Sequence, residues 1–316
     1  MNKRVYDPET EQQAAASPQL NISDPVKARK TLADFALAMA EKGIERPSDS
    51  RVEEEEILIT GPKGAPKVPI RLYKPIQQNK KRPCFINFHM GGFVVGDLEM
   101  EHPRCLSMAV AGDAVAIGVQ YRLAPENPFP AGVEDCYAAV KWVEDNAKEL
   151  NIDPKRIVLG GGSAGGNLAA AVSLMARDRG GPDIAYQMLF YPVVDDRCQT
   201  ESMKTGKGLY VWDYDNSICM WDHYLGKDRE QVSPYAAPAR AEDLSGLPPA
   251  FITACEHDAL RDEAIIFAVR LMNAGVAVDL HTYPGTVHGF DMLTMTPTSA
   301  RAMAEAVAAF KRVMNS

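Results

Sequence analysis

The residues best suited to chemistry stand in RIVLGGGSAGGNLAAAVSLMARD, residues 156–178: an apolar run, a glycine-rich turn holding one serine, then an alanine-rich helical pattern. Gly161, Gly162, Ser163, Ala164 and Gly165 make G-x-S-x-G, the sharp strand-to-helix turn that holds a nucleophilic serine in a strained conformation and needs small neighbours two residues to either side. Such a serine projects at the top of a sheet, beside a helix N-terminus that favours developing negative charge. Gly160, Gly162 and Gly165 also satisfy G-x-G-x-x-G, a dinucleotide-binding fingerprint. That alternative belongs in a first βαβ unit with an acid about 20 residues further on. Here several apolar runs come first, and Asp195 lies about 30 residues beyond the turn.

A serine nucleophile of this kind demands an acid and then a histidine, in that order, each just after a later strand. PAFITACEHDALRDE and VAVDLHTYPGTVHGF supply them as Asp258 and His288. Glu256 sits on or at the strand and is a weaker choice. Asp262 and Glu263 open the following helix, where acids answer the helix dipole. His281 alternates with Asp279 and Tyr283 along a strand face, and His102, His223 and His257 lack the required position. Far upstream, PCFINF runs into FHMGGF (88–93), whose adjacent glycines let the backbone bend and bring bare N–H groups close to another molecule.

The elements that must carry these residues follow from periodicity. Residues 24–43 have helical spacing, with Asp24 to cap and Gly43 to stop, and form the one helix expected before any strand. RVEEEEILIT and VPIRLYKP read as two hairpin-like strands around GPKGAPK. From residue 83, the runs PCFINF, AVAIGVQY, RIVLG, IAYQMLFYPVV, PAFITAC and VAVDLHTY alternate with helices near 103–111, 132–150, 165–178, 262–274 and 298–314. Continuous apolar strands alternating with helices mean an α/β fold, a largely parallel sheet covered on both faces, with its site beyond the carboxyl ends of the strands. Residues 195–235 break the pattern and read as an insertion with a helix near 213–225, packing with the N-terminal helix as a lid. Its Trp212, Tyr214, Trp221 and Tyr224 serve as lid core or pocket wall.

Composition narrows the partners. The 316 residues are 46% hydrophobic and 24% charged, as in ordinary globular proteins. A net charge of -8 without a basic cluster argues against nucleic acid. The N-terminus lacks the apolar stretch of a signal peptide and no segment is long enough to span a membrane, so the expected location is cytoplasmic. Six scattered cysteines without a CxxC pair read as reduced, mostly buried thiols, and the histidines show no metal-binding spacing.

FHMGGF, YRLAPENPFPA (121–131), GGSAGGN (161–167), HDALRDE (257–263) and VHGF (287–290), in this order, resemble the hormone-sensitive-lipase-like, bacterial family IV carboxylesterases of the α/β-hydrolase superfamily. The resemblance spans nearly the whole chain. It implies an eight-stranded mostly parallel sheet with a small helical cap, divided as cap residues 1–50, core 51–194, cap insertion 195–235 and core 236–316. It also implies a possible homodimer, a small-molecule ester substrate, and neither metal nor organic cofactor. Ser163 is then the nucleophile, His288 the base and Asp258 its orienting acid. The oxyanion donors are Ala164, the residue after the nucleophile, and, by resemblance, Gly91 and Gly92, with His89 bracing their loop.

Two departures stand out: the usual HGGG reads His89-Met90-Gly91-Gly92, and the usual Asp or Thr before the serine is Gly162. Met90 is harmless if its backbone is ordinary, leaving its thioether to fill an apolar gap. Gly162 removes a side chain that could anchor neighbouring loops. Arg122 and Glu126 read as loop braces. The expected activity is hydrolysis of short- to medium-chain acyl esters; the alternatives are a non-catalytic small-molecule-binding relative and an NAD-binding oxidoreductase.

Overall fold

The apolar runs assemble into one eight-stranded sheet, which the computed structural model describes over residues 5–77, 80–227, 229–293 and 295–315. The first four residues of the expected cap, positions 78 and 79 of the first core segment, position 228 of the cap insertion, and positions 294 and 316 of the last core segment lie outside the described residues.

The strands are β1 (Val52–Ile59), β2 (Val68–Pro75), β3 (Arg82–Phe88), β4 (Val115–Val119), β5 (Ile152–Gly162), β6 (Ile184–Phe190), β7 (Ala250–His257) and β8 (Val278–Val287), in spatial order β1-β2-β4-β3-β5-β6-β7-β8. Only β2 runs antiparallel to its neighbours β1 and β4. All other pairs are parallel. β3 is buried at every position, as a central strand covered on both faces must be. β5 starts earlier than RIVLG suggests: Arg82 pairs with Ile152 and Cys84 with Ile157, so Asp153, Pro154 and Lys155 are thrown out as a bulge. A proline that cannot donate to the ladder fits such a place.

The crossover helices include α3 (His102–Val110), α4 (Ala131–Asp145), α5 (Ala164–Arg179) and α8 (Arg261–Asn273), and α10 (Pro297–Met314) comes after the last strand. α5 is the most deeply placed, buried from Ala164 to Ala176, which explains its alanine-rich sequence: small residues let a central helix approach the sheet closely. The short α9 (Phe290–Leu293) follows β8.

Two helices, not one, precede the sheet. α2 (Pro25–Glu41) begins as expected, with Asp24 Oδ1 accepting from the Lys27 N–H at 3.0 Å. α1 (Pro8–Ala16) is additional; it buries only Thr10 and Ala14, too little to leave an apolar stripe in PETEQQAAA. The 195–235 excursion carries α6 (Glu201–Thr205) as well as the expected α7 (Tyr214–Leu225). The N-terminal segment and this excursion are tied together: Asn216 accepts from the Ile22 N–H at 3.2 Å and donates to Leu20 O at 2.9 Å, and His223 Nε2 donates to Ile22 O at 2.9 Å. Arg29 of α2 reaches down to Val94 O, Ala124 O and both oxygens of Glu126, so Glu126 does brace a loop, while Arg122 is held by Asp135.

Candidate active site

The turn between β5 and α5 gives Ser163 φ 55° and ψ -117°, a conformation L side chains rarely adopt. Its Oγ lies 2.9 Å from His288 Nε2, and His288 Nδ1 lies 2.7 Å from Asp258 Oδ2. Asp258 Oδ1 accepts from the Leu260 N–H at 2.9 Å, which fixes the rotation of the carboxylate. All three side chains are buried. Ser163, Asp258 and His288, more than a hundred residues apart at the extremes, thus meet at the carboxyl ends of β5, β7 and β8.

The glycines around the serine are demanded by contact. A Cβ on Gly161 or Gly165 would run into Phe88 O of the neighbouring strand end, and one on Gly160 into the Phe85 ring at 2.5 Å. These collisions account for Gly160 and Gly165, two of the three glycines that mimic a dinucleotide fingerprint, and Asp195, the acid that reading needs, is spent on Arg197 at 2.6 Å. The other acids are also occupied: Glu256 accepts from the Gly285 N–H at 2.6 Å, Asp262 from the Ser202 N–H at 2.7 Å, and the buried Glu263 from the Val194 N–H at 2.7 Å. Glu263 is thus more than a first-turn residue answering a dipole, since it anchors the start of the 195–235 excursion. His281 is half-buried between Asp279 and Glu305, 3.8 and 3.5 Å away, far from the serine in function.

Gly91 and Gly92 stand at φ 124° and 58°, both closed to ordinary side chains. A Cβ on Gly91 would strike Val95 O. Met90 has no left-handed φ, so glycine is not needed there. Its side chain is buried, with Cε 3.2 Å from where a Cβ on Gly162 would lie, filling the gap beside the elbow. His89 stacks on Tyr121 with ring centroids 4.1 Å apart, and its Nδ1 donates to Met90 O at 2.8 Å. That bond holds the peptide whose other end is the Gly91 N–H.

Burial pushes the His89 pKa down to about 4, so the ring is neutral at physiological pH. Its folded pKa lies below the unfolded value of about 6.5, so the unfolded chain takes up the proton first as the solution is acidified. Stability is therefore full above about pH 6.5 and falls toward pH 4, by on the order of 2–3 kcal/mol for this residue. Urea unfolding across that range should show a His89→Asn variant losing this part of the slope.

Ser163, His288, Met90, Gly91 and Gly92 line one narrow cavity of about 80 Å³. The rest of its wall is Ser17, Pro18, Leu20, Leu32 and Phe35 from the N-terminal segment, with Val95, Met100, Val211 and Trp212. Of the excursion's aromatics, Trp212 is pocket wall, whereas Trp221 and Tyr224 are core, Tyr224 stacking on Phe93 at 3.9 Å.

A family model described as the α/β hydrolase fold matches residues 85–292, two thirds of the chain and all of the machinery above. The chain belongs to the α/β-hydrolase family. Within it, this hydrolase stands among the hormone-sensitive-lipase-like esterases. It is 38% identical over 270 residues to the carboxylesterase NlhH of Mycobacterium tuberculosis, covering 84% of this chain and 83% of the other. It is 37% identical to an arylesterase of Saccharolobus solfataricus, covering 71% and 72%. Among solved structures it superimposes on a bacterial heroin esterase with a TM-score of 0.94, at 40% identity over 99% of both chains. The esterase of Pyrobaculum calidifontis gives 0.87, at 35% identity over 98% and 99%.

Sequence reading of this hydrolase missed the buried polar residues behind the elbow, Glu101, Arg104, Tyr191 and Asp291, which bond to one another. Glu101 and Arg104, three apart at the start of α3, look like any surface helix pair, and nothing local marks them as buried.

Proposed function

We propose that the chain is a serine carboxylesterase acting on short- to medium-chain acyl esters. The observation that carries this reading is the unbroken run of hydrogen bonds from Ser163 Oγ through His288 to Asp258, opening into an apolar cavity. His288 Nε2 takes the Ser163 proton as Oγ attacks the ester carbonyl; Asp258 holds the Nδ1 proton and stabilises the imidazolium; the imidazolium then protonates the departing alkoxide. Water repeats the sequence on the acyl-serine, releasing the acid and restoring the hydroxyl. The negative oxygen formed at each addition is met by the N–H groups of Gly91, Gly92 and Ala164, with His89 keeping the first of these aimed; such donors contribute about 3 kcal/mol apiece.

The cavity offers the substrate shape rather than charge, since its wall carries no ionised side chain except where His288 becomes protonated. A series of p-nitrophenyl esters of increasing acyl length should give highest kcat/KM at short chains and decline once the chain outgrows the cavity, by up to about tenfold per misfitting step. A paraoxon-type organophosphate should label Ser163 and stop turnover together. Failure to hydrolyse any ester in the series would favour the non-catalytic binding alternative, which the intact triad argues against.

The N-terminal residues and the 195–235 excursion act as one cap, a role supported by their mutual hydrogen bonds and their shared contribution to the cavity wall. No helix among the described residues is long and apolar enough to cross a membrane. A homodimer is supported by Ile266, Val269 and Met272, exposed at three-residue spacing on α8.

A further inference from the structure

Glu101 lies outside the triad, yet its carboxylate is 2% exposed and aimed at the turn that carries the nucleophile. Oε1 accepts from the Gly162 N–H at 3.3 Å, and a Cβ on Gly162 would come within 3.0 Å of the same oxygen. The carboxylate therefore occupies the space into which a side chain just before the serine would reach. Oε2 accepts from Arg104 Nε at 2.7 Å. Arg104, fully buried and stacked on Phe190, donates to Asp291 Oδ2 and to the Tyr191 hydroxyl oxygen, each at 3.2 Å. Tyr191 donates in turn to Asp291 Oδ1 at 2.6 Å, and its ring meets the His288 imidazole edge-on at 5.0 Å. Asp291 follows His288 by three residues. The polar chain thus runs from the peptide before the nucleophile to the loop that carries the base.

Burial raises the Glu101 pKa, with Arg104 opposing the shift. A buried ion group of this kind seldom adds stability over an apolar replacement of the same volume. What it supplies is a fixed arrangement of the groups it joins.

We propose that Glu101 is a positioning residue for the nucleophile, holding Gly162 directly and the His288 loop through Arg104 and Asp291, and so standing in for the anchoring side chain absent at position 162. The inference rests on Ser163 being the nucleophile.

The test moves the carboxylate. Gly162 has no left-handed φ, and once the Glu101 carboxylate is removed a Cβ there meets the Tyr191 ring at 3.1 Å and the end of the flexible Met90 side chain at 3.2 Å. In Glu101→Ala, kcat and the rate of Ser163 phosphorylation by paraoxon should fall about 10- to 100-fold, as expected for a displaced reacting atom, while KM stays within about twofold. Gly162→Asp alone sets two carboxylates against each other and should also be slow. The double variant Glu101→Ala/Gly162→Asp should recover most of both rates. Should Glu101→Ala not fold, Glu101→Gln, which keeps shape and an acceptor for the Gly162 N–H, should fold and show a smaller loss in the same two rates. Phosphorylation of Ser163 at wild-type rate in Glu101→Ala, or in Glu101→Gln a loss of melting temperature with no loss of rate, overturns the positioning role. A double variant no faster than the singles overturns it as well. Absence of Ser163 labelling in the wild-type protein would instead strike at the esterase reading itself.

Discussion

Ser163→Gly should abolish ester hydrolysis and make the protein more stable. With no Oγ to attack, kcat should drop about 10⁶-fold, the size of loss seen when a triad serine is removed, leaving only what oxyanion donors and binding supply. Stability should move the other way because Ser163 stands at φ 55° and ψ -117°. Glycine enters that region without the clash of a Cβ, so relief of strain worth about 1 kcal/mol exceeds the entropy glycine adds to the unfolded chain. Ser163→Ala is the control: equally inactive, since alanine also lacks Oγ, but without the gain because it keeps the Cβ. Urea melts of the three proteins decide the matter; a glycine variant no more stable than the alanine variant would mean that the elbow is relaxed.

Asp258→Asn should cost about 10⁴ in kcat with little change in fold. The asparagine amide has one oxygen, and the Leu260 N–H, 2.9 Å from the present Oδ1, claims it. The amide nitrogen then faces His288 Nδ1, which must turn acceptor and send its proton to Nε2. A protonated Nε2 cannot receive the Ser163 proton. Activity should therefore be recovered in part at high pH, where hydroxide rather than the imidazole can take that proton, and steady-state rates from pH 6 to about 10 would show it. An Asp258→Asn variant within tenfold of wild type would mean that Glu256 or another acid serves His288.

The meeting of Ser163, Asp258 and His288 was legible because each sits in a local pattern that marks a strand's end: glycines around Ser163 that clash with β3 if enlarged, Asp258 just past β7, and His288 in a glycine-flanked loop after β8. The sheet was legible because β4 is apolar throughout and β6 is broken only by Gln187. α1 was not, since a helix that buries two small residues leaves no stripe to read. The early start of β5 was hidden by Asp-Pro-Lys, which looks like a turn and is a bulge. Glu101 was illegible for a different reason. Its meaning depends on Gly162 and Asp291, and proximity between positions so distant in the chain leaves no local trace. Met90 shows the intermediate case: its departure from the family pattern was visible, while the neighbour that accommodates it, the missing side chain at 162, emerged only from packing.

The roof over the serine has a history in time as well as in space. Leu20 and Ile22 leave the ribosome early, whereas Asn216 and His223, which hold them, lie 194 to 201 residues later. Until then the N-terminal segment lacks these partners, although those of Arg29, at Val94, Ala124 and Glu126, are already made. The segment that shapes the cavity is thus made well before the residues that complete its fastening, and six of the eight strands are already synthesised when those residues appear.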